Sequence, residues 1–265
     1  MNIVVCVKYV PDATADRTFD PADRTVDRVN VPGVLSELDE HAIEAALQLA
    51  ESGDAEVTAL TVGPAGASDA IKKALQMGVD KGVHVTDDAI HGSDAPATSL
   101  VLAKALTKLD ETSPVDLVLC GMASTDGGMS VVPAMLAERL GRPQVTFAGS
   151  LELSDDRGTL TIRRDGEAAT ETVEATLPAV VSVTDQANEP RYPSFKGIMA
   201  AKKKPVETWS LADLGVAASE VGLAVAWSTV ESYAQRPPRQ KGTVVTDDGD
   251  GGRQLVAFLA EQKFV

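Results

Sequence analysis

Along this chain, runs of consecutive apolar residues alternate with stretches whose apolar positions recur every three or four residues. Residues 2–8 form the first such run, apolar on both faces as strands inside a parallel sheet are. A polar stretch rich in Asp, Arg and Thr occupies 11–32, with room for a small hairpin. Ser36 then reads as a helix N-cap, ahead of Leu38, Ala42, Ala45, Ala46 and Leu49 at helical spacing. Residues 55–62 predict a second strand ending in Gly63-Pro64, 67–77 a second helix and 82–86 a short third strand. Residues 96–109 predict a third helix and 115–120 a fourth strand, after which a glycine-rich turn at 121–128 opens a fourth helix at 130–140. Alternation at this pace means βαβ crossovers, hence an α/β domain with a parallel sheet and helices on both faces.

The pattern changes after Pro143. Residues 144–153, 159–164 and 171–175 resemble antiparallel strands joined by Asp/Gly turns, and 177–183 returns to a buried apolar strand. A long irregular segment follows through Lys204. From 236 the chain passes Pro237-Pro238 and a polar stretch at 246–253, then ends in a helical pattern of Leu255, Val256, Phe258 and Leu259. That is the composition of an arm with a terminal anchor. The expected division is an α/β domain over 1–205 with a small antiparallel extension, and a C-terminal extension or arm over 206–265.

Composition narrows the function. Apolar residues make up 44% of the 265 but aromatics only 4%, so Ala, Val, Leu and Ile must build the core. The 39 acidic against 24 basic residues give a formal charge of −15. Such a surface lacks the cationic contacts that nucleic acid or an anionic bilayer requires. It serves solubility, or in a sharper reading adaptation to high salt, where self-repulsion is screened. No run approaches the ~20 apolar residues of a membrane span. The N-terminus enters a strand directly instead of a charged leader with an apolar core, so the cytoplasm is the expected compartment. Cys6 and Cys120 lie inside apolar strands and read as small buried hydrophobes, without metal-ligand spacing.

Ligands of a parallel α/β sheet bind beyond the carboxyl ends of its strands. Three segments are expected to meet there: 8–10, 63–66 and 121–128. The last, GMASTDGGMS with the serine at 130, is the most informative. Its glycines allow a phosphate close to the backbone, the following helix aims N–H groups at an anion, and Ser124, Thr125 and Ser130 add hydroxyls. A turn that needs glycine for geometry alone fits the same residues. Asp126 can orient amides, bind a ribose hydroxyl or cap the helix, the last being the commonest fate of such a residue. The loop is neither a Walker loop nor GxGxxG. His41, His84 and His91 are scattered, and no serine has a base beside it. The chemistry is therefore that of a binding or carrier protein, with no catalytic residues and no metal ligands.

Residues 184–204, TDQANEPRYPSFKGIMAAKKK, combine prolines, Tyr192, Phe195, Ile198 and Met199 with the one triple-basic run of an acidic chain. A long loop carrying apolar side chains is a docking element for a partner. The alternative is a loop folded back on its own sheet, with Lys202, Lys203 and Lys204 as a solvated helix end.

The stretch LPAVVSVTDQANEPRYPSFKGIMAAKKKP resembles the matching stretch of electron transfer flavoprotein β subunits. The opening VVCVKYVPD resembles the first strand of that family, and HAIEAALQLAE, VTALTVGPAGASDAIKKALQMGVDKGVHV and VDLVLCGMASTDGG fall in family order. The resemblance covers the chain to about Gly215. It implies a Rossmann-like domain of the adenine nucleotide alpha hydrolase type and an arm embracing an α subunit that carries the redox-active FAD. It also implies a structural AMP in this subunit, in place of which bifurcating relatives hold a second FAD.

By position the nucleotide would contact Cys6, Ser36, Ala59 and Val62. It would also contact Gly121, Met122, Ala123, Ser124, Thr125, Asp126, Gly127, Gly128, Met129, Ser130, Val131 and Val132. The recognition loop would present Asn188, Glu189, Pro190, Arg191, Tyr192, Phe195, Ile198, Met199, Lys202, Lys203 and Lys204. Its partners would be flavin dehydrogenases such as acyl-CoA dehydrogenase, with an electron-transfer-flavoprotein quinone oxidoreductase downstream. The chain departs from the family at 130–133, where relatives carry a polar, Gln-containing stretch and Pro133 removes a backbone donor. The Gln-Val-Gly-Pro pattern of bifurcating members is missing, which favours AMP over a second FAD. The competing reading, an ATP pyrophosphatase or stress-type ATPase of related fold, requires Ser-Gly-Gly-x-Asp-Ser or Gly-Lys-Ser/Thr, and neither is present.

Overall fold

Twelve strands and six α-helices follow one another in a computed structural model that describes every residue except 16, 239–241 and 243. The strands are β1 (Asn2–Cys6), β2 (Tyr9–Pro11), β3 (Gly33–Leu35), β4 (Glu56–Val62), β5 (Lys81–Val85), β6 (Leu117–Gly121), β7 (Gln144–Ala148), β8 (Ser150–Leu153), β9 (Thr159–Asp165), β10 (Thr170–Thr176), β11 (Ala179–Val183) and β12 (Val206–Trp209). The helices are α1 (Glu37–Glu51), α2 (Ser68–Met77), α3 (Ala95–Thr112), α4 (Val132–Leu140), α5 (Phe195–Ala201) and α6 (Gly251–Glu261).

Seven strands pair in parallel in the order β12-β5-β4-β1-β6-β11-β7. The central strands are buried throughout, which is why they read as unbroken apolar runs. Each face of the sheet carries its own core. Ala42, Ile43, Ala46 and Leu49 of α1 and Ile71 and Ala74 of α2 pack on one face; Val101, Ala105 and Leu106 of α3 and Leu136 of α4 pack on the other. With so few aromatics, these close-set alanines and branched aliphatics let helices approach the sheet tightly.

Several boundaries differ from the sequence expectation. Residues 144–153 are not one antiparallel strand. Gln144–Ala148 joins the parallel sheet beside β11, and only Ser150–Leu153 pairs antiparallel, with β9. The break is made by Phe147, whose φ of 59° turns the backbone, and by Gly149, whose N–H leaves for the Arg163 carbonyl at 2.7 Å. The polar excursion of 11–32 is closed by β2 pairing with β3 and carries one inner bridge, Phe19 to Val26. The irregular segment contains α5. β12 hydrogen-bonds to β5 as an edge strand, so residues beyond 205 continue the main body.

Compact units divide at Glu231 and Ser232, later than 205, because β12 and the turns after it pack with the sheet. The second unit, Ser232–Val265, holds α6, whose Leu255, Val256 and Phe258 are exposed. Part of the tail expected from 236 onward lies outside the described residues. No helix among the described residues is long and apolar enough to cross a membrane.

Candidate functional site

From β1 the chain adds β4 and β5 on one side, then crosses to β6 on the other, so its direction across the sheet reverses between β1 and β6. Loops leaving two such strands diverge and open a crevice. The three expected segments do meet here. Tyr9 joins two of them: its ring lies against Gly33 and Gly66, and a Cβ at Gly33 would fall 2.1 Å from the ring.

The third segment is drawn in by charge. Lys8 Nζ donates to Asp126 Oδ1 at 2.8 Å and to Ser124 Oγ at 3.3 Å. Arg28, from the polar excursion, reaches Asp126 Oδ2 through Nε at 3.2 Å and also through Nη2. The Asp126 side chain is 1% exposed, those of Lys8 and Arg28 39% and 30%. Burial pushes the Asp126 carboxyl up, but Lys8 and Arg28 overcome it and hold the group well below the usual carboxylate range. Two cations against one carboxylate leave one net positive charge, on side chains that retain solvent-facing surface. Asp126 therefore does not cap α4. That helix starts at Val132 with Pro133 in its first turn, and its N-cap, Val131, has no side-chain acceptor.

Asp39 is the second buried acid. It accepts the Lys8 backbone N–H at 2.8 Å and the Gly121 amide, yet burial pushes its carboxyl up to about 7 against those donors. Gly121 is required by this contact. A Cβ there would fall 2.6 Å from Asp39 Oδ1 and 2.8 Å from the Leu38 carbonyl oxygen.

Of the sequence-assigned residues, Cys6 closes β1 in register with Cys120, and both thiols are buried. Contact with Cys6 and burial push the Cys120 thiol up, away from the reactive thiolate. Ser36 occupies the N-cap position of α1, but its hydroxyl caps nothing; it is fully buried and without a hydrogen-bond partner. Thr61 Oγ1 is in the same condition, one residue past Leu60, the register partner of Cys6. Val62 ends β4 half-buried, whereas Ala59 sits mid-strand in the core under α1 and α2 and is not brought to the crevice.

Met122, Ala123, Ser124 and Thr125 are half-buried, Gly127, Gly128 and Met129 exposed, and Ser130, Val131 and Val132 half-buried. Gly128 and Ser130 take left-handed backbone at φ 62° and 58°. The turn is exposed at 127–129, where the Gly127 N–H donates to Asp126 Oδ1 and Ser124 Oγ and the Gly128 N–H to the Ser124 carbonyl. Lys8, Arg28, Asp39 and Thr61 escaped residue-level reading of the sequence. Only the position of Lys8 at the end of β1 gave a signal.

The 184–204 segment divides into two classes of side chain. Tyr192 and Phe195 are 91% and 81% exposed, with Ile198 and Met199 exposed beside them. Glu189, Lys202 and Lys203 are also exposed, and Pro190 is half-buried. Asn188, Arg191 and Lys204 are instead held within the chain. Asn188 Nδ2 donates to the His41 carbonyl at 3.0 Å, and Arg191 pairs with Glu44 and Glu51. Lys204 Nζ donates to the carbonyls of Gly78 and Val79 at 2.8 and 2.6 Å, closing the end of α2. These three side chains thus have partners within the chain. Their charges and amides were already matched by neighbours that sequence distance hides. Among the histidines, His84 Nε2 lies 3.0 Å from the Gly63 carbonyl, and His91 pairs with Asp23 on the polar excursion.

Comparison with known proteins supplies the family. Residues 23–214 match the family model described as electron transfer flavoprotein domain. The chain is 47% identical to the electron transfer flavoprotein subunit beta of Mycobacterium tuberculosis, over 100% of this chain and 99% of that one. It is 33% identical to the subunit of the same name from Megasphaera elsdenii, over 99% and 97%. It is also 34% identical to subunit CarD of the caffeyl-CoA reductase–Etf complex of Acetobacterium woodii, over the full length of both.

Proposed function

Since the chain belongs to the electron transfer flavoprotein family as a β subunit, we propose that it is the non-catalytic half of a heterodimeric electron carrier that holds one AMP. An α-subunit partner and a flavin are implied by membership itself. The finer reading is that the crevice at the β1–β6 reversal takes the AMP, and that FAD resides in the α subunit. The chain would accept electrons from flavin dehydrogenases such as acyl-CoA dehydrogenase and deliver them to a quinone oxidoreductase. The redox chemistry is that of the FAD.

The observation that carries the AMP reading is the pair of orphaned buried hydroxyls, Ser36 Oγ and Thr61 Oγ1, near the carboxyl ends of β1 and β4, at the end of the sheet from which the glycine turn also leaves. A buried hydroxyl without a partner costs about 1–3 kcal/mol, so a ligand that satisfies it is favoured. Lys8 and Arg28 supply the net positive charge for a phosphate, and Met129 and Ser130 supply backbone N–H groups, those of Gly127 and Gly128 being taken within the turn. Asp126 resolves its apparent misfit with an anion by being neutralised in advance. This chain's residues bind and orient the nucleotide and move no proton.

The docking reading rests on Tyr192, just before α5, and on Phe195, Ile198 and Met199 of α5, apolar side chains left facing solvent although α5 itself packs on α2. Acid release of nucleotides from the heterodimer purified from its host tests the proposal. AMP and FAD in equal amounts are expected.

A further inference from the structure

The exposed side chains of 192–199 stand on a footing that the crevice does not use. His41, Glu44, Gln48 and Glu51 follow one another at intervals of three and four residues, a single stripe along α1. The loop is fastened along that stripe. Asn188 and His41 exchange contacts, Nδ2 to carbonyl and Nδ1 to carbonyl, both at 3.0 Å. Arg191 gives Nε to Glu44 Oε2 at 2.7 Å, Nη2 to Glu44 Oε1 at 3.0 Å and its backbone N–H to Oε2 at 3.2 Å. Its other edge grips Glu51. Gln48 Nε2 holds Glu44 Oε1 from behind at 3.0 Å.

The Glu44 side chain is only 6% exposed, so no partner reaches it. A forked guanidinium on a buried carboxylate fixes both direction and distance, where a single lysine contact would fix only distance. Immediately afterwards Ser194 Oγ accepts the Gly197 N–H at 3.0 Å and starts α5. Gly197 lets α5 lie on α2, since a Cβ there would fall 2.5 Å from the Gln76 carbonyl oxygen.

We infer that Glu44 and Arg191 are positioning residues for electron-donor docking: through them α1 sets the direction in which Tyr192 and Phe195 face the incoming dehydrogenase. This rests on the docking reading above. It assigns Arg191 a role opposite to that of a partner-contacting cation, because its charge is already met by two carboxylates. The net charge of the three is −1.

The test uses the purified α–β heterodimer and an acyl-CoA dehydrogenase reduced by its substrate. Glu44→Gln and Arg191→Gln should each raise the KM for the heterodimer about tenfold with kcat changed less than twofold. The double variant should be no worse than either single, since both remove one linkage. Retained subunit assembly and flavin content would show that the variants fold. If Arg191→Gln raises KM while Glu44→Gln does not, the arginine touches the dehydrogenase directly and the inference is overturned. Phe195→Ala separates the two levels, as this side chain has no internal role at 81% exposure. An unchanged KM for Phe195→Ala would overturn docking at this loop altogether. A raised KM there, with both Glu44 and Arg191 variants normal, would overturn only the positioning role.

Discussion

Asp39 and Asp126 share one end of the sheet and hold their protons with opposite strength. Asp126 is kept ionised by Lys8 and Arg28, so its contribution to stability is present above the ordinary carboxylate pKa and lost as pH falls below it. Asp39 is raised to about 7 by burial. The folded state then binds a proton that the unfolded state releases near pH 4, so stability declines as pH rises from about 4 to 7. Fully expressed, the decline is about 4 kcal/mol at most. Asp39→Asn should remove that slope. Urea unfolding at pH 5 and pH 8 measures it as the difference between wild type and variant, and parallel profiles would refute the assignment. The sequence singled out Asp126 but not its ion pairs, and did not mark Asp39 at all. Asp39 is one of three acids in the first turn of α1, with Glu37 and Glu40, and only packing shows which one turns inward. Arg28 sits among the charges of 11–32, where nothing local marks it as the residue that reaches Asp126.

At the level of elements, β1, β4, β5, β6 and β11 were legible to within a few residues because burial on both faces leaves them largely apolar, whereas the sheet-edge strands β7 and β12, partly exposed, were not. What escaped was set by the backbone. The left turn at Phe147 splits an alternating run between two sheets, and α5 sits between Pro193 and a lysine cluster that reads as loop. The glycine turn was legible as a strand-to-helix turn after β6, but its fastening to Lys8 and Arg28 was not. The close meeting of β6 with α1 makes a specific prediction. Gly121→Ala brings a methyl within 2.8 Å of both Asp39 and the Leu38 carbonyl, and one of these contacts is backbone. The first turn of α1 must shift, at a cost of about 2–3 kcal/mol, and Ser36 moves with it. Lowered thermal stability together with loss of bound nucleotide is expected. Loss of neither would show that the turn and helix are not coupled.

Over the whole molecule, fold and family follow from ordered strand–helix alternation with a distinctive segment at 184–204, and both were readable before any coordinates. The division of labour within that segment was not, because Arg191 and Glu44 are 147 residues apart in sequence. The formal charge of −15 is a property of the entire surface. If it reflects adaptation to salt, screening should relieve self-repulsion as the Debye length falls from about 10 Å at 0.1 M to about 3 Å at 1 M. The melting temperature should then rise by roughly 5 °C or more between 0.1 and 2 M KCl; a flat response would leave the charge as a solubility feature alone. The central claim, a β subunit holding one AMP beside a flavin-bearing α subunit, is tested most directly by native mass spectrometry of the complex isolated from its host, with nucleotides quantified after release. One α chain, one FAD and one AMP per β chain is the predicted result. Two FAD per pair, or a β chain with neither nucleotide nor α partner, would contradict it.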